Sequence, residues 1–211
     1  MRDSIGRSGG HARRIRLFTV RTLREILRDP LSFVICLGVP LVLLVAMYAL
    51  FSPTAPWFTL DMLTPGIAVF SGAFAMLYMA LLVSRDRATW FLTRLYSSPL
   101  TDGDFVLGYA LPGILIGAGQ LVICWAASAV TGLVAGETAW LGVGILPAVL
   151  SALPMVVCFV FIGILSGSLF SDKAAPGLSS VVISGAGFLS GAWMPVESLS
   201  GGFRTFCAWL P

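Results

Sequence analysis

Residues 62–84, MLTPGIAVFSGAFAMLYMALLVS, contain no charged side chain, and Arg85, Asp86 and Arg87 follow them directly. A helix of about 20 apolar residues crosses a bilayer, so this stretch predicts a membrane span with a charged boundary. Hydrophobic residues make up 57% of the chain and charged residues 11%, against about 45–50% and about 25% in soluble domains. Four more uncharged stretches occur, at residues 30–60, 105–136, 138–171 and 174–196. We therefore predict an all-α, polytopic integral membrane protein with five transmembrane helices.

The positive charges alternate between the two sides of these stretches. Eight Arg residues precede Leu31, three follow Ser84, and Lys173 follows the fourth stretch, whereas the intervening loops contain none. Short loops rich in Lys and Arg stay in the cytoplasm. We therefore predict a multi-pass protein of the cell (plasma) membrane with a cytoplasmic N-terminus. The spans are predicted at about residues 31–51, 62–84, 106–130, 146–170 and 176–193.

The residues before the first span divide into two parts. Residues 1–11 have little to bury and predict a disordered cytoplasmic leader. Residues 12–29 predict an amphipathic helix, because apolar and basic side chains separate at 100° per residue. The apolar side comprises Ile15, Val20, Leu23, Ile26 and Leu27. The basic side comprises Arg13, Arg14, Arg21, Arg24 and Arg28. Such a helix fits the membrane interface, whereas a mere positive flank explains the charge but not the apolar periodicity.

Residues 85–100, between the second and third spans, combine charged with aromatic side chains. Phe91 with Leu95 and Leu92 with Tyr96 are four residues apart, which gives a short helix an apolar stripe. The proline that follows them ends this helix. A helix resting on lipid headgroups and a helix that contacts a partner protein both fit this pattern.

Neutral polar and small residues within the spans predict helix packing. Gln120 could line a path through the membrane or bond across helices, and packing is the favoured interpretation. Thr101 and Asp104 have the spacing of a capping box at the start of the third span, with Asp in place of Glu or Gln. Close helix contact is predicted at three small-xxx-small pairs: Gly113 with Gly117, Gly163 with Gly167, and Gly187 with Gly191.

The sequence lacks the residues that ion coupling, histidine-based catalysis and ATP binding require. The uncharged stretches contain no Asp, Glu, Lys, Arg or His, which argues against ion coupling by titrating side chains. The only histidine, His11, lies in the leader, so a histidine-based catalytic or metal site within the membrane is not expected. No GxxxxGK phosphate-binding loop precedes Lys173, the only lysine. We predict no enzyme activity, and the net charge of +3 fits lipid headgroups better than nucleic acid.

Four motifs occur in an order that is similar to one membrane-protein family. They are LRDP at 27–30, LTPG at 63–66, FLTRL at 91–95 followed by SPL at 98–100, and LSGAWMPVESL at 189–199. With these motifs the chain resembles the permease subunit of a type-2 ABC (ATP-binding-cassette) exporter over nearly its whole length from Arg13. The loop at residues 85–100 departs from the family's motif, in which an acidic residue is followed by Gly and Thr, since residues 87–90 read RATW.

The resemblance implies a mode of energy coupling. It implies that residues 12–29 are an elbow helix at the first span and that residues 87–98 are a coupling helix on a separate ATPase subunit. The coupling residues would be Trp90, Phe91, Arg94, Leu95 and Tyr96. No cofactor would be bound directly, because the partner subunit would hydrolyse ATP. Two permease copies, as a homodimer or heterodimer, would enclose the substrate path among membrane lipids, and the path residues stay unknown.

The resemblance also sets expectations for the C-terminal part and for the substrate. Residues 194–211 resemble the family's outer re-entrant segment, and the sixth transmembrane helix that follows in the family is apparently lacking. Transport of a hydrophobic drug, antibiotic, lipid or lipid-linked glycan is the expected function. A non-transporting membrane scaffold is the alternative, and a secondary transporter lacks an ion-coupling signature.

Overall fold

The computed structural model describes residues 2–55, 58–88, 101–136 and 144–190. Within these ranges the secondary structure consists of helices, with no β-strand, which confirms the all-α prediction. Six helices follow one another: α1 (Arg2–Arg28), α2 (Pro30–Phe51), α3 (Leu60–Ala88), α4 (Asp102–Ala135), α5 (Ile145–Leu169) and α6 (Ala175–Leu189).

Four of these helices, α2 to α5, are long and apolar enough to cross a membrane. The shorter apolar helix α6 has 15 residues, from Ala175 to Leu189. Its predicted span reached residue 193 and therefore extends past Ser190, where the described residues end. The predicted outer segment, residues 194–211, also lies outside the described residues.

The first helix is longer than the sequence predicted. It begins at Arg2 and continues without a break to Arg28, whereas residues 1–11 were predicted to be a disordered leader. Once a helix has nucleated, each further residue adds one hydrogen bond, so extension is easier than a new start. Residues 12–28 of the predicted elbow helix are thus the C-terminal part of a longer helix. Asp29 separates it from α2.

Helix α3 lies at the centre of the bundle, where it packs against α2, α4, α5 and α6. Residues from α3, α4 and α5, including Met79, Leu121 and Val160, form the main core. Phe18 and Ile26 of α1 join the same core. By contrast, only a small share of the apolar window of α2 is buried, so α2 packs on the outside of the bundle.

Two of the three predicted glycine pairs lie at close helix contacts. A Cβ atom at Gly163 would lie 2.5 Å from the Met76 carbonyl oxygen, and one at Gly167 would lie 2.5 Å from the Ala80 carbonyl oxygen. These glycines therefore let α5 approach the backbone of α3. On α4, a Cβ at Gly113 would lie 2.9 Å from side-chain atoms of both α3 and α5.

Of the remaining glycines in the predicted pairs, Gly117 and Gly187 lie within the described residues. A Cβ at Gly117 would overlap the side chain of Val156 on α5. Gly187 is buried, and its predicted partner Gly191 lies outside the described residues. Polar groups add to the packing, because the hydroxyls of Thr64 and Ser128 share a hydrogen bond between α3 and α4.

Candidate functional site: the elbow clamp

The predicted coupling residues Trp90, Phe91, Arg94, Leu95 and Tyr96 lie outside the described residues, which stop at Ala88 and resume at Thr101. The structure does describe both flanks of this segment. The flanks are the last turn of α3 and the first turn of α4, and α1 contacts each of them through charged side chains. We call these contacts the elbow clamp: Arg21 with Asp86 on one flank, and His11 and Arg14 with Asp104 on the other.

Asp86 is the anchor on the α3 flank. Its side chain is almost fully buried, and the residue is only 4% exposed. Arg21 donates two hydrogen bonds to it, Nη1 to Oδ2 at 2.8 Å and Nη2 to Oδ1 at 3.2 Å. The hydroxyl of Tyr109, on α4, donates to the same Oδ2. A bidentate Arg–carboxylate pair fixes orientation as well as charge, so Asp86 joins α1, α3 and α4 at one point.

Arg21 lies between two acidic side chains, Asp86 on α3 and Glu25 on its own helix. Arg21 also pairs with Glu25 one turn later on α1, with 2.7 Å between Nη2 and Oε2. Partial burial, and then the nearby Asp86 carboxylate, raise the pKa of Glu25, while Arg21 acts in the opposite direction. For Arg21, burial alone would lower the pKa, but the hydrogen bond and charge of Asp86 outweigh it, so the pKa of the guanidinium is raised. The cluster therefore keeps a firmly charged Arg21 between two acids.

Aromatic packing supports the clamp beside these charges. The Phe18 ring lies edge-on to the Tyr109 ring at 5.0 Å between centroids, and Phe105 meets Tyr109 in the same way at 4.9 Å. Gly108 makes room for Phe18, because a Cβ at that position would overlap the ring. Edge-to-face pairs of this kind each add about 0.5–1.5 kcal/mol beyond area burial. Phe18 therefore packs α1 onto α4 where Tyr109 reaches Asp86.

Asp104 is the anchor on the α4 flank. It closes a capping box with Thr101: the Asp104 amide donates to the Thr101 hydroxyl, and Asp104 Oδ2 accepts from the Thr101 amide. The same carboxylate contacts α1, with His11 Nδ1 at 3.0 Å from Oδ1 and Arg14 Nε at 3.3 Å from Oδ2. The capping box fits the sequence prediction, whereas the two contacts with α1 are new.

A second set of contacts joins the end of α3 to the end of α5, to the turn that follows it and to Asp29 between α1 and α2. Arg87 donates from Nη1 to the carbonyls of Gly167 and Phe170, both at 3.2 Å. A cation at carbonyls of a helix C-terminus complements the helix dipole. Ser84 donates to Asp172 at 3.2 Å, and Arg85 pairs with Asp29 at 3.2 Å.

The structure divides the predicted elbow arginines into two groups. Arg13, Arg24 and Arg28 are exposed. Arg14 and Arg21 turn towards the bundle and pair with carboxylates, which differs from the predicted separation into a basic and an apolar side. Of the predicted apolar side, Ile26 is fully buried, whereas Val20 and Leu27 are 39% and 60% exposed. The face of α1 that packs on the bundle therefore includes Arg14 and Arg21 and only part of the predicted apolar side.

Sequence reasoning had not assigned Asp86, Tyr109 or His11 to a site. The positions of Asp86 and Asp104 in the sequence could have indicated the site, since these two residues flank the loop that carries the aromatic stripe. Among the described residues, no three or more His, Cys, Asp or Glu side chains form a group suited to a metal ion. The clamp joins α1 to the end of α3 and the start of α4 through charged and aromatic side chains.

A family model for the ABC-2 type transporter matches residues 13–211. This chain belongs to the ABC-2 type transporter family. The family's membrane domain is the permease component of an ABC transporter and not its ATPase. The match begins at Arg13 on α1 and covers every residue of the clamp except His11, together with the four long apolar helices, so the chain is a multi-pass membrane protein. No significant match was found among curated proteins or among solved structures.

Proposed function

We propose that this ABC-2 permease is the membrane subunit of an ATP-driven exporter and that residues 87–98 couple it to a separate ATPase subunit. Contact of α1 with both flanks of this segment carries the proposal. Arg21 holds Asp86, two residues before the end of α3, and Arg14 with His11 holds Asp104, in the first turn of α4. A displacement of the segment by the ATPase would therefore reach α1 at two points.

The packing around the clamp gives the proposed displacement a route into the membrane. Asp29 separates α1 from α2, and Arg85 on α3 pairs with it at 3.2 Å. Arg87, next to Asp86, bonds to the end of α5. Packed helices joined by such networks move as units rather than bend continuously. We therefore expect α1, the start of α2 and the end of α5 to respond together when the ATPase binds or hydrolyses ATP.

The remaining parts of the proposal follow from charge and composition. The alternation of Arg and Lys supports an N-terminus, and hence a clamp, on the cytoplasmic side of the cell membrane. Aromatic and Arg side chains suit a protein interface, which supports docking of Trp90, Phe91, Arg94, Leu95 and Tyr96 on the ATPase. A second permease copy would complete the path, and ATP would be hydrolysed by the partner. The apolar spans suit a hydrophobic drug, antibiotic, lipid or lipid-linked glycan.

Co-purification of the ATPase with permease variants tests the coupling role. Leu95→Asp or Tyr96→Ala is expected to leave membrane insertion intact and to reduce the amount of ATPase that co-purifies from detergent extracts. Lys173→Ala, which changes an exposed charge in the turn before α6, serves as the matched control and should retain the ATPase. Unchanged association of both coupling variants would contradict the proposal, and failure of the native chain to retain any ATPase would favour the scaffold alternative.

A further inference from the structure

One side of α1 is left uncovered by the bundle, and it combines basic with apolar side chains. We call it the outer face of α1, and its exposed residues are Arg13, Arg16, Leu17, Val20, Arg24, Leu27 and Arg28. At 100° per residue, all seven lie within a sector of about 120°. The centre of the opposite side, which packs on the bundle, is about 140° away. That side includes Arg14, Phe18, Arg21, Thr22 and Ile26.

The outer face carries four positive charges that the described part of the chain does not neutralise. None of its arginines forms an ion pair with a described residue, whereas Arg14 and Arg21 on the opposite side are both paired. The only acidic residue between positions 12 and 28 is Glu25, which lies about 120° from the centre of the outer face. Like charges three or four residues apart on a helix repel one another. A guanidinium binds phosphate through two parallel hydrogen bonds, so phosphate groups suit this face.

The apolar side chains among these arginines indicate where the phosphates lie. Leu17 and Leu27 are 62% and 60% exposed. Leu31, one turn after Leu27, is 71% exposed at the start of α2, and the exposed Val34 and Ile35 follow it into the apolar span. An acidic protein surface would pair with the arginines but would leave this apolar stripe uncovered. A bilayer supplies both partners, because phosphates occupy its headgroup layer and acyl chains lie directly beneath them.

We propose that the outer face of α1 binds acidic phospholipids, such as phosphatidylglycerol, in the leaflet where α2 begins. Only Asp29 separates α1 from α2, so the C-terminal end of α1 lies at the level where an apolar helix enters the membrane. The elbow clamp holds the opposite side of α1 on the bundle, which keeps the four arginines turned outwards. The charge of the lipid therefore matters as well as its apolar chains. This binding requires neither the ATPase nor a particular direction of transport.

Fluorescence quenching by lipids of known charge tests this surface. Val20→Cys, in a chain whose native cysteines are changed to Ala, would carry the fluorophore NBD at the middle of the outer face. The protein would be placed in phosphatidylcholine nanodiscs that contain spin-labelled phosphatidylglycerol or spin-labelled phosphatidylcholine, with the nitroxide near the headgroup end of one acyl chain. Leu165→Cys carries the same fluorophore as the matched control. Leu165 is 56% exposed on α5, with no Arg or Lys within one turn in the sequence.

At position 20 we expect phosphatidylglycerol to be preferred over phosphatidylcholine about fivefold. An arginine near an acidic membrane surface contributes about 1 kcal/mol, and about 1.36 kcal/mol is a factor of ten. At position 165 the two lipids should quench equally.

Changes of charge next to the fluorophore show whether the arginines cause the preference. Arg16 and Arg24 each lie four residues from Val20 and are its neighbours on the helix surface. Replacement of both by Gln should reduce the preference to less than about twofold. Replacement of both by Lys keeps the charge and should retain the preference. In the native background of Val20→Cys, NaCl at about 1 M shortens the Debye length to about 3 Å and should act like the Gln replacements.

Four results would overturn the proposal. Equal quenching by the two lipids at position 20 would show that the outer face meets the membrane without selecting lipid charge. Quenching by neither lipid would show that this face meets water or an acidic protein surface. An unchanged preference in Arg16→Gln with Arg24→Gln would show that these arginines do not hold the lipid. An equal loss in the Gln and Lys pairs would assign the effect to a disturbed helix and not to charge.

Discussion

Replacement of Asp86 by Asn tests whether charge holds the elbow helix on the bundle. Asn keeps the shape of the side chain but loses the negative charge. In the native protein, Asp86 accepts two hydrogen bonds from Arg21 and one from Tyr109. A hydrogen bond to a charged group contributes about 1.5–3 kcal/mol and a neutral one about 0.5–1.5 kcal/mol. Asn offers one acceptor oxygen and an NH2 donor, so one of the two Arg21 bonds weakens by about 1 kcal/mol and the other, worth about 2 kcal/mol, is lost. These two bonds join α1 to α3, whereas the Tyr109 bond joins α4 to α3, so the predicted loss in the docking of α1 is about 3 kcal/mol.

A cysteine at Thr22 measures this docking directly. Thr22 lies on α1 and is fully buried against the bundle, so Thr22→Cys in a background without other cysteines reacts with a soluble thiol reagent only when α1 lifts away. A loss of about 3 kcal/mol corresponds to an opening constant, and hence a labelling rate, about 150-fold higher, because 1.36 kcal/mol is a factor of ten. Arg24→Ala, an exposed arginine on the same helix, is the matched control and should change the rate less than about threefold.

Two results would refute the reasoning about Asp86. A rise in labelling of less than about tenfold in Asp86→Asn would show that the buried carboxylate contributes little to docking. An equal rise in Arg24→Ala would assign the effect to the total charge of α1 and not to this pair. Arg21→Met combined with Asp86→Asn should exceed either single change only slightly, because both remove the same interaction.

Three further predictions concern helix packing, the capping box and topology. Gly167→Ala is expected to lower the free energy of unfolding by about 1–3 kcal/mol, because the new Cβ meets the α3 backbone; thermal unfolding would show this against Gly185→Ala, where the added Cβ has nothing within 4 Å. Equal stability of the two variants would contradict the close contact. Thr101→Ala should lower the free energy of unfolding by about 1 kcal/mol through loss of the cap, measured by the same method. An unchanged free energy of unfolding would show that the capping box does not stabilise α4. Cysteines at Ser97 and Ser198 should label only from the cytoplasm and only from outside, respectively, and the opposite pattern would reverse the proposed orientation.

The long apolar helices could be located largely from the sequence. The first span was predicted at residues 31–51 and α2 runs Pro30–Phe51, while the fourth was predicted at 146–170 and α5 runs Ile145–Leu169. The third helix of this kind, α4, exceeds its prediction of 106–130 at both ends, since its capping box starts it at Asp102 and hydrophobicity alone does not mark helix beyond the bilayer core.

The clamp could be predicted only in part. The amphipathic pattern indicated a helix at residues 12–29, and Thr101 with Asp104 indicated a cap. The pattern treated every arginine as solvent-facing, because periodicity shows which residues share a face but not what opposes that face. Asp86 faces Arg21 from a position 65 residues later in the chain. Helix periodicity and capping patterns relate residues only a few positions apart, so they do not predict this pair.

The sequence by itself determined that this is an all-α membrane protein, since the cost of placing charge in hydrocarbon is a property of each residue and its neighbours in the chain. Tertiary structure decided which arginines of α1 became ion-pair donors and that Gln120 of α4 donates to the Leu37 carbonyl of α2. Both depend on the rotation of one helix against another. A change of one residue in register turns a side chain by 100°, so the same residues could have faced lipid, water or a buried carboxylate.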